Sequence, residues 1–108
     1  MEVKYTINGN GTILVKNTFK GDEEAPMLPR LGLQLETNKS FDNLTWLGKG
    51  PHENYIDREL GADIGLYSES VSKDYYAYIR PQESSNKTEV RWFALTNSSN
   101  KGLKISAV

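Results

Sequence analysis

The sequence predicts an all-β fold, an antiparallel β-sandwich, on three observations. Short stretches of alternating apolar and polar residues recur along the chain, about seven or eight of them at spacings of roughly 8–12 residues. Turn-forming residues punctuate them, beginning with two Asn-Gly pairs in Asn8-Gly9-Asn10-Gly11. No segment of useful length keeps the period near 3.6 that marks an amphipathic helix.

The elements follow in order. Tyr5-Thr6-Ile7 and Thr12-Ile13-Leu14-Val15 flank the Asn-Gly pairs. Asn-Gly supplies the positive φ angles of a tight hairpin turn, so these stretches read as paired strands, the second continuing to Phe19. Gly21 to Pro26 is acidic and ends in proline, hence a loop. Leu31-Gly32-Leu33-Gln34-Leu35-Glu36 alternates at period two and predicts a half-buried strand. Leu44 to Leu47 is a short strand. Gly48 to Gly61 is the least regular stretch and predicts a long surface loop with one helical turn near Asp57 to Leu60. Ile64 to Tyr67 reads as a short edge strand, and Asp74 to Arg80 as a strand stopped by Pro81. Thr88 to Thr96 is apolar on both faces, as a central strand should be. Asn97 to Gly102 turns the chain into a last strand, Leu103 to Ala107. The expected core residues are Leu33, Leu35, Trp46, Tyr78, Val90 and Trp92.

At 108 residues the chain has the length of one domain with one core. It ends in mid-strand at Lys104 to Val108, which suggests that residues 1–108 are a single but partial sandwich domain. Charge is balanced, with 13 Lys+Arg against 14 Asp+Glu and a net charge of −1. The basic field that sequence-independent nucleic-acid binding requires is missing. No apolar run approaches the roughly 18 residues of a membrane-spanning helix. Met1 to Tyr5 shows no apolar leader core, and the compartment stays open, cytoplasm or periplasm for a bacterial source. With no cysteine and one histidine, His52, neither a disulfide framework nor a thiolate or multi-histidine metal site is expected. Asn-X-Ser/Thr triplets at Asn38, Asn43, Asn86 and Asn97 read as loop composition.

Chemistry-bearing residues concentrate in two places. Trp46-Leu47-Gly48-Lys49-Gly50-Pro51-His52-Glu53-Asn54-Tyr55-Ile56-Asp57-Arg58 crowds aromatic rings, carboxylates, an amide and a guanidinium into one irregular stretch. Sugar sites use such a mixture, with rings against C–H faces and polar groups on hydroxyls. A braced polar loop, with Glu53 or Asp57 paired to Arg58, uses the same residues. Arg80-Pro81-Gln82-Glu83-Ser84-Ser85-Asn86 is the second place, either a plain polar turn or a loop that meets the first in space. Glycoside hydrolysis needs two carboxylates about 5–9.5 Å apart. Glu53, Asp57 and Glu83 supply candidates, but 14 acidic residues make such a pair easy to find.

Three stretches together resemble a known family: Pro29-Arg30-Leu31-Gly32, then Trp46 to Arg58, then Tyr78-Ile79-Arg80-Pro81-Gln82-Glu83. They are similar, in order and spacing, to the C-terminal or small-chain domain of glycoside hydrolase family 2 β-galactosidases. The resemblance spans nearly the whole chain. It implies a supersandwich like that of galactose mutarotases, packed beside a TIM-barrel domain of the same polypeptide. That barrel carries the glutamates of a retaining mechanism. No catalytic residue is therefore implied here, and the fragment alone is expected to be inactive. Glu53, Tyr55, Arg58 and Glu83 become candidate galactoside contacts in the whole enzyme, with bracing of the two loops as the alternative. No cofactor is implied in this fragment. Some family members use a divalent cation, and the sequence offers no site for one.

Two features depart from the family. Its turn after Pro-Gln-Glu commonly runs Asn-Gly-Asn, whereas here Ser84-Ser85-Asn86 must accept it. Its domain also continues through further strands and a tryptophan that reaches the active site, which neither Trp46 nor Trp92 matches. A cut sandwich leaves bare strand edges, so self-association is expected. A free-standing carbohydrate-binding module and a mutarotase-like epimerase are the other readings, the latter poorly served by one histidine.

Overall fold

The computed structural model describes residues 1–22, 24 and 26–107. Strands β1 (Glu2–Ile7), β2 (Ile13–Thr18), β3 (Asn43–Gly50), β4 (Asp63–Ser70), β5 (Trp92–Thr96) and β6 (Gly102–Ser106) form two antiparallel sheets. The single described helix, α1, covers Val71–Asp74. The all-β antiparallel class expected from the sequence is thus the class observed. The chain divides into two compact units, Met1–Gln34 and Leu35–Val108, each described by itself.

The first unit is the β1–β2 hairpin, in the expected place. Its turn differs from the tight Asn-Gly turn expected. Asn8 N–H donates to Thr12 O at 2.9 Å and Gly11 N–H to Asn8 O at 3.1 Å. Among its residues only Gly11 takes a positive φ, +86°. This is a longer turn closed by one left-handed residue, which glycine adopts without steric cost. The Asn10 carboxamide oxygen fastens it by accepting from Thr12 N at 3.0 Å and Thr12 Oγ1 at 2.7 Å. The register places Val3, Tyr5 and Ile7 opposite Asn17, Val15 and Ile13 on one side, with Lys4 opposite Lys16 on the other.

Past the hairpin, Glu23 and Ala25 of the expected acidic loop lie outside the described residues; Glu24 N–H donates to Asp22 Oδ1 at 3.2 Å. The strand expected over Leu31 to Glu36 does not form. Leu31, Leu33 and Leu35 are 61%, 68% and 60% exposed, which removes Leu33 and Leu35 from the core. Alternation creates an apolar face, but a strand also needs a neighbour to take its backbone hydrogen bonds. No described strand pairs with this segment.

The second unit is a four-stranded sheet in the order β4-β3-β5-β6. β3 and β4 are longer than expected, and β4 lies at the edge, as expected. Each of β3 and β5 has a neighbour on both sides, and every residue of β5 is half-buried. Cross-strand partners Trp46, Tyr67 and Phe93, then Leu44 and Leu95, share one face. Ile105 and Leu103 continue it on β6. Trp46, at 1% exposure, is the centre of this core; Ala62 is also buried. The Trp46 ring lies 5.5 Å from that of Tyr67, and its Nε1–H donates to Lys49 O at 3.0 Å.

The expected strand from Thr88 begins only at Trp92, because the chain bulges first. Lys49 N–H donates to Thr88 O at 3.0 Å and Arg91 N–H to Leu47 O at 2.8 Å, so Glu89 and Val90 arch between these two bonds. Glu89 turns the arch with φ 54°. A β-bulge of this kind shifts side-chain parity. Val90 consequently sits over Gly48, on the Trp46 face, rather than with Trp92 and Ala94. A Cβ on Gly48 would lie 2.9 Å from Val90 Cα, so only glycine admits the arch.

Asp74 to Arg80 is not a strand either. Its start belongs to α1, and Tyr78 N–H then donates to Tyr76 O at 3.1 Å, a tight turn incompatible with a ladder. Tyr76 and Tyr78 stack edge to face at 4.6 Å, and Tyr78, expected in the core, is half-buried. α1 is capped from outside: Asp42, just before β3, accepts from Ser72 N at 2.8 Å and from Ser70 Oγ at 2.5 Å. These bonds hold the Asp42 carboxyl below its ordinary value. The β5–β6 turn repeats the β1–β2 design, with Asn97 N–H donating to Lys101 O at 2.9 Å and Asn100 as the left-handed residue at φ 56°.

Candidate functional site

The two polar stretches singled out in the sequence meet. Past the cis Gly50–Pro51 bond, the loop over 51–62 carries Glu53, Asn54, Tyr55 and Arg58. The helical turn expected at Asp57 to Leu60 is instead a tight turn closed by a bridge between Tyr55 and Arg58, whose backbone groups exchange bonds of 2.8 and 3.2 Å. Two exchanged bonds leave the intervening Ile56 and Asp57 outside the ring, with no i→i+4 ladder to extend.

Asn54 is the hub. Its side chain is 0% exposed, and every polar group on it has a partner. Oδ1 accepts from Thr88 N at 2.7 Å and Thr88 Oγ1 at 2.6 Å, and Nδ2 donates to His52 O at 3.0 Å. Its backbone N–H donates to Asn86 O at 2.8 Å, and its carbonyl accepts from Asn86 Nδ2 at 2.6 Å. The loop over 84–88 is therefore laced to the loop over 51–62 on main chain and side chain alike. The loop was not the purely surface feature expected: its centre is the most deeply buried polar residue described.

Around that hub sits the Arg58 cluster. Glu53 Oε1 accepts from Arg58 Nη2 at 2.9 Å, and Glu53 Oε2 accepts from Ser85 N at 2.7 Å. Arg58 Nη2 also donates to Tyr78 Oη at 3.1 Å. The guanidinium lies over the Tyr55 ring at 5.0 Å and near the Tyr78 ring at 5.9 Å. The Tyr55 hydroxyl is buried and makes no hydrogen bond among the described residues. Glu53, Tyr55 and Arg58 thus come together. Glu83 is exposed on the approach to Ser84. A hollow of about 510 Å³ is lined by His52, Glu53, Asp57, Arg58, Glu59, Leu60 and Gly61.

Sequence reasoning missed Glu59 and Lys87, and named Ser85 only as part of the second polar stretch and its turn. Glu59 binds Lys49 at 2.7 Å and faces Thr88 Oγ1 at 2.8 Å, whose one proton it shares with Asn54 Oδ1, and both contacts hold its carboxyl below the ordinary value. Ser85 takes the left-handed φ of 71° that the Ser-Ser-Asn turn demanded. Lys87 reaches Asp74 at 2.7 Å and Glu69 at 3.2 Å, under the Trp46 ring at 5.0 Å. Burial pushes the Glu69 carboxyl upward, against the pull of Lys87. None of these links has a sequence signature, since each joins residues distant in the chain. The Ser85 conformation alone was signalled, by a serine where glycine would be easier.

Two variants separate strain from bonding at Ser85. Ser85→Gly relieves about 1 kcal/mol of left-handed strain and loses the Oγ–H bond to Asp74 O, worth about as much, so stability should barely change. Ser85→Ala keeps the strain and loses the bond, and should cost about 1 kcal/mol in urea denaturation. Equal effects of the two would contradict the strained serine.

Titration adds a signed expectation. Asp42 and Glu59 have lowered carboxyl values in the folded chain, so their stabilisation is present near neutrality and is lost as pH falls below the ordinary carboxylate range, about pH 4. Glu69, raised, acts oppositely: its contribution is largest in acid and fades as pH rises through its folded value. Loss of the Asp42 and Glu59 contributions lowers the denaturation midpoint in acid, and the Glu69 contribution works against that fall. In Glu69→Gln, with the opposing group gone, the drop should be steeper. An identical acid limb in the two chains would contradict this.

The arrangement offers hydrogen-bond donors, ring faces and a hollow, with both Glu53 oxygens already engaged. That is equipment for holding a polar ligand. No group of three or more His, Cys, Asp or Glu suited to a metal ion occurs among the described residues. No helix is long and apolar enough to cross a membrane.

Fold and site together define an all-β antiparallel domain whose one elaborate feature is a pair of interlocked polar loops. The family described as Beta galactosidase small chain matches residues 1–108, and the chain belongs to that family. A β-galactosidase of Priestia megaterium is 41% identical over 106 residues, covering 98% of this chain and 10% of its own length. One from Lactobacillus delbrueckii subsp. bulgaricus is 39% identical over 107 residues, covering 99% and 10%. Another, from Pseudoalteromonas haloplanktis, is 36% identical over 94 residues, covering 86% and 9%. The chain spans about a tenth of the length of these curated relatives.

Proposed function

We propose that this chain serves as the accessory small-chain part of a larger β-galactosidase of glycoside hydrolase family 2. It stands within a mutarotase-like supersandwich beside a TIM-barrel catalytic domain and helps to complete the galactoside pocket. Terminal β-D-galactosides are cleaved by that other domain with retention, and Glu53, Tyr55, Arg58 and Glu83 contribute contacts, not bond-breaking. The observation that carries this reading is Arg58. Its side chain is held by Glu53, Tyr55 and Tyr78, yet remains 56% exposed beside the hollow. A fixed guanidinium with open donors suits sugar hydroxyls, because its ordering cost is met before the ligand arrives.

The test is the kinetics of Arg58→Ala in the full-length enzyme carrying this chain. KM for a nitrophenyl galactoside should rise roughly tenfold, as loss of about 1.4 kcal/mol of binding implies. Unchanged KM and kcat would sink the reading. Galactose binding by the 108-residue chain alone would instead favour a free-standing sugar-binding module.

A further inference from the structure

We propose that Lys87 is a positioning residue for the candidate site: its ammonium, shared between Asp74 and Glu69, pins the loop over 84–88 so that the Ser85 N–H is aimed at Glu53. The consequence for sugar rests on the reading above; the positioning itself does not.

Lys87 is the most deeply buried charged side chain in the ion pairs described, at 7% exposure. Its Nζ lies 2.7 Å from Asp74 Oδ1, 3.2 Å from Glu69 Oε1 and 3.4 Å from Ser85 O. A buried ammonium needs partners on several sides, and these come from three places: β4, the end of α1 and the loop itself. β3 supplies no charge here, only the Trp46 ring at 5.0 Å. The facing carboxylates are Asp74, at 12% exposure, and Glu69, at 30%.

The relay to the site is short. Ser85 is clamped from this side by its carbonyl on Lys87 and by its Oγ–H on Asp74 O at 2.7 Å. On the other side its N–H donates to Glu53 Oε2 at 2.7 Å, and Glu53 Oε1 holds Arg58. A left-handed serine does not keep its conformation unaided, since that region costs it about 1 kcal/mol. The Lys87 cluster supplies the restraint. Without the ammonium two carboxylates face each other at a half-buried site, Asp74 is pushed aside, and the Ser85 N–H loses its aim.

Amide spectra of the chain test this. In Lys87→Met, which keeps an apolar stem against Trp46 and removes the charge, the Ser85 amide proton should move upfield. It should also exchange roughly tenfold faster, the factor carried by one hydrogen bond to a charged acceptor. Lys87→Arg should restore both signals. A Ser85 resonance and exchange rate unchanged in a Lys87→Met chain whose β3 to β6 amides stay dispersed overturns the proposal. Should that variant lose its dispersion, Glu69→Gln decides: the ammonium is then drawn wholly to Asp74, and the Ser85 amide must move. A stationary Ser85 signal there overturns the proposal as well. If Arg58→Ala leaves the enzyme's kinetics untouched while Ser85 responds to Lys87→Met, the sugar reading falls and the positioning stands.

Discussion

Asn54→Ala is expected to remove about 3–5 kcal/mol of folding stability, the combined cost of lost hydrogen bonds and of buried groups left without partners. The side chain makes three hydrogen bonds, two accepted from Thr88 and one donated to His52 O. Truncation takes from the Thr88 N–H and the His52 carbonyl the partner that a side chain with no exposed surface had given them. A domain of this size has a total stability of about 5–15 kcal/mol, so the variant should lose about a fifth of it or more. Asn54→Asp should do no better. It keeps the acceptor for Thr88 but turns a carboxylate oxygen on the His52 carbonyl, at a position with no exposed surface. Urea denaturation followed by far-ultraviolet circular dichroism measures both. A loss under 1 kcal/mol for Asn54→Ala would mean that the loops are held by other means, such as the Asn86 main-chain bonds.

The second large effect is expected at Trp46. The ring is buried against Tyr67 and Lys87, and its N–H is bonded to Lys49 O. Trp46→Ala should cost about 3–5 kcal/mol, the range for truncating a large buried aromatic. Trp46→Phe separates packing from bonding: it keeps most of the contact area, leaves the Lys49 carbonyl without its donor, and should cost about 1–3 kcal/mol. Calorimetric midpoints for the pair test this order. If Trp46→Phe proves as harmful as Trp46→Ala, the hydrogen bond rather than the burial governs the site.

The legible and illegible parts of this chain divide along a physical line. β1, β2, the edge position of β4, the interior position of β5 and the turn into β6 all carry their signals locally, in alternation and turn residues. Leu31 to Glu36 and Asp74 to Arg80 carry the same alternation but form no strand. Periodicity reports which side chains could share a face, and it cannot report whether a neighbouring strand exists. At the site, the meeting of the two polar stretches was one of two readings, beside a plain polar turn, and the pairing of Glu53 with Arg58 was likewise one of the readings. Asn54 was visible inside its motif, yet its rank above its neighbours depends on Asn86 and Thr88, more than thirty residues away. Lys87 was hidden for the same reason. A lone lysine in a polar turn looks solvated until β4 and α1 bring Glu69 and Asp74 against it.

The arch of Glu89 and Val90 over Gly48 also protects the sheet against errors of assembly. An antiparallel strand can slip by two residues and keep its inward and outward faces, so polarity alone does not forbid misregistered β5–β3 pairs. Here the slipped partners are unequal. Two residues one way, the arch would have to cross Trp46, whose side chain fills the space. Two residues the other way, it would meet Gly50, where the Tyr67 ring already stands so close that a Cβ would lie 2.7 Å from it. Only one notch along β3 accepts the tooth on the neighbouring segment. The sheet therefore carries a mechanical key, cut by the absence of a single methyl group, that indexes β5 to β3 and sets Thr88 at the height where Asn54 can reach it.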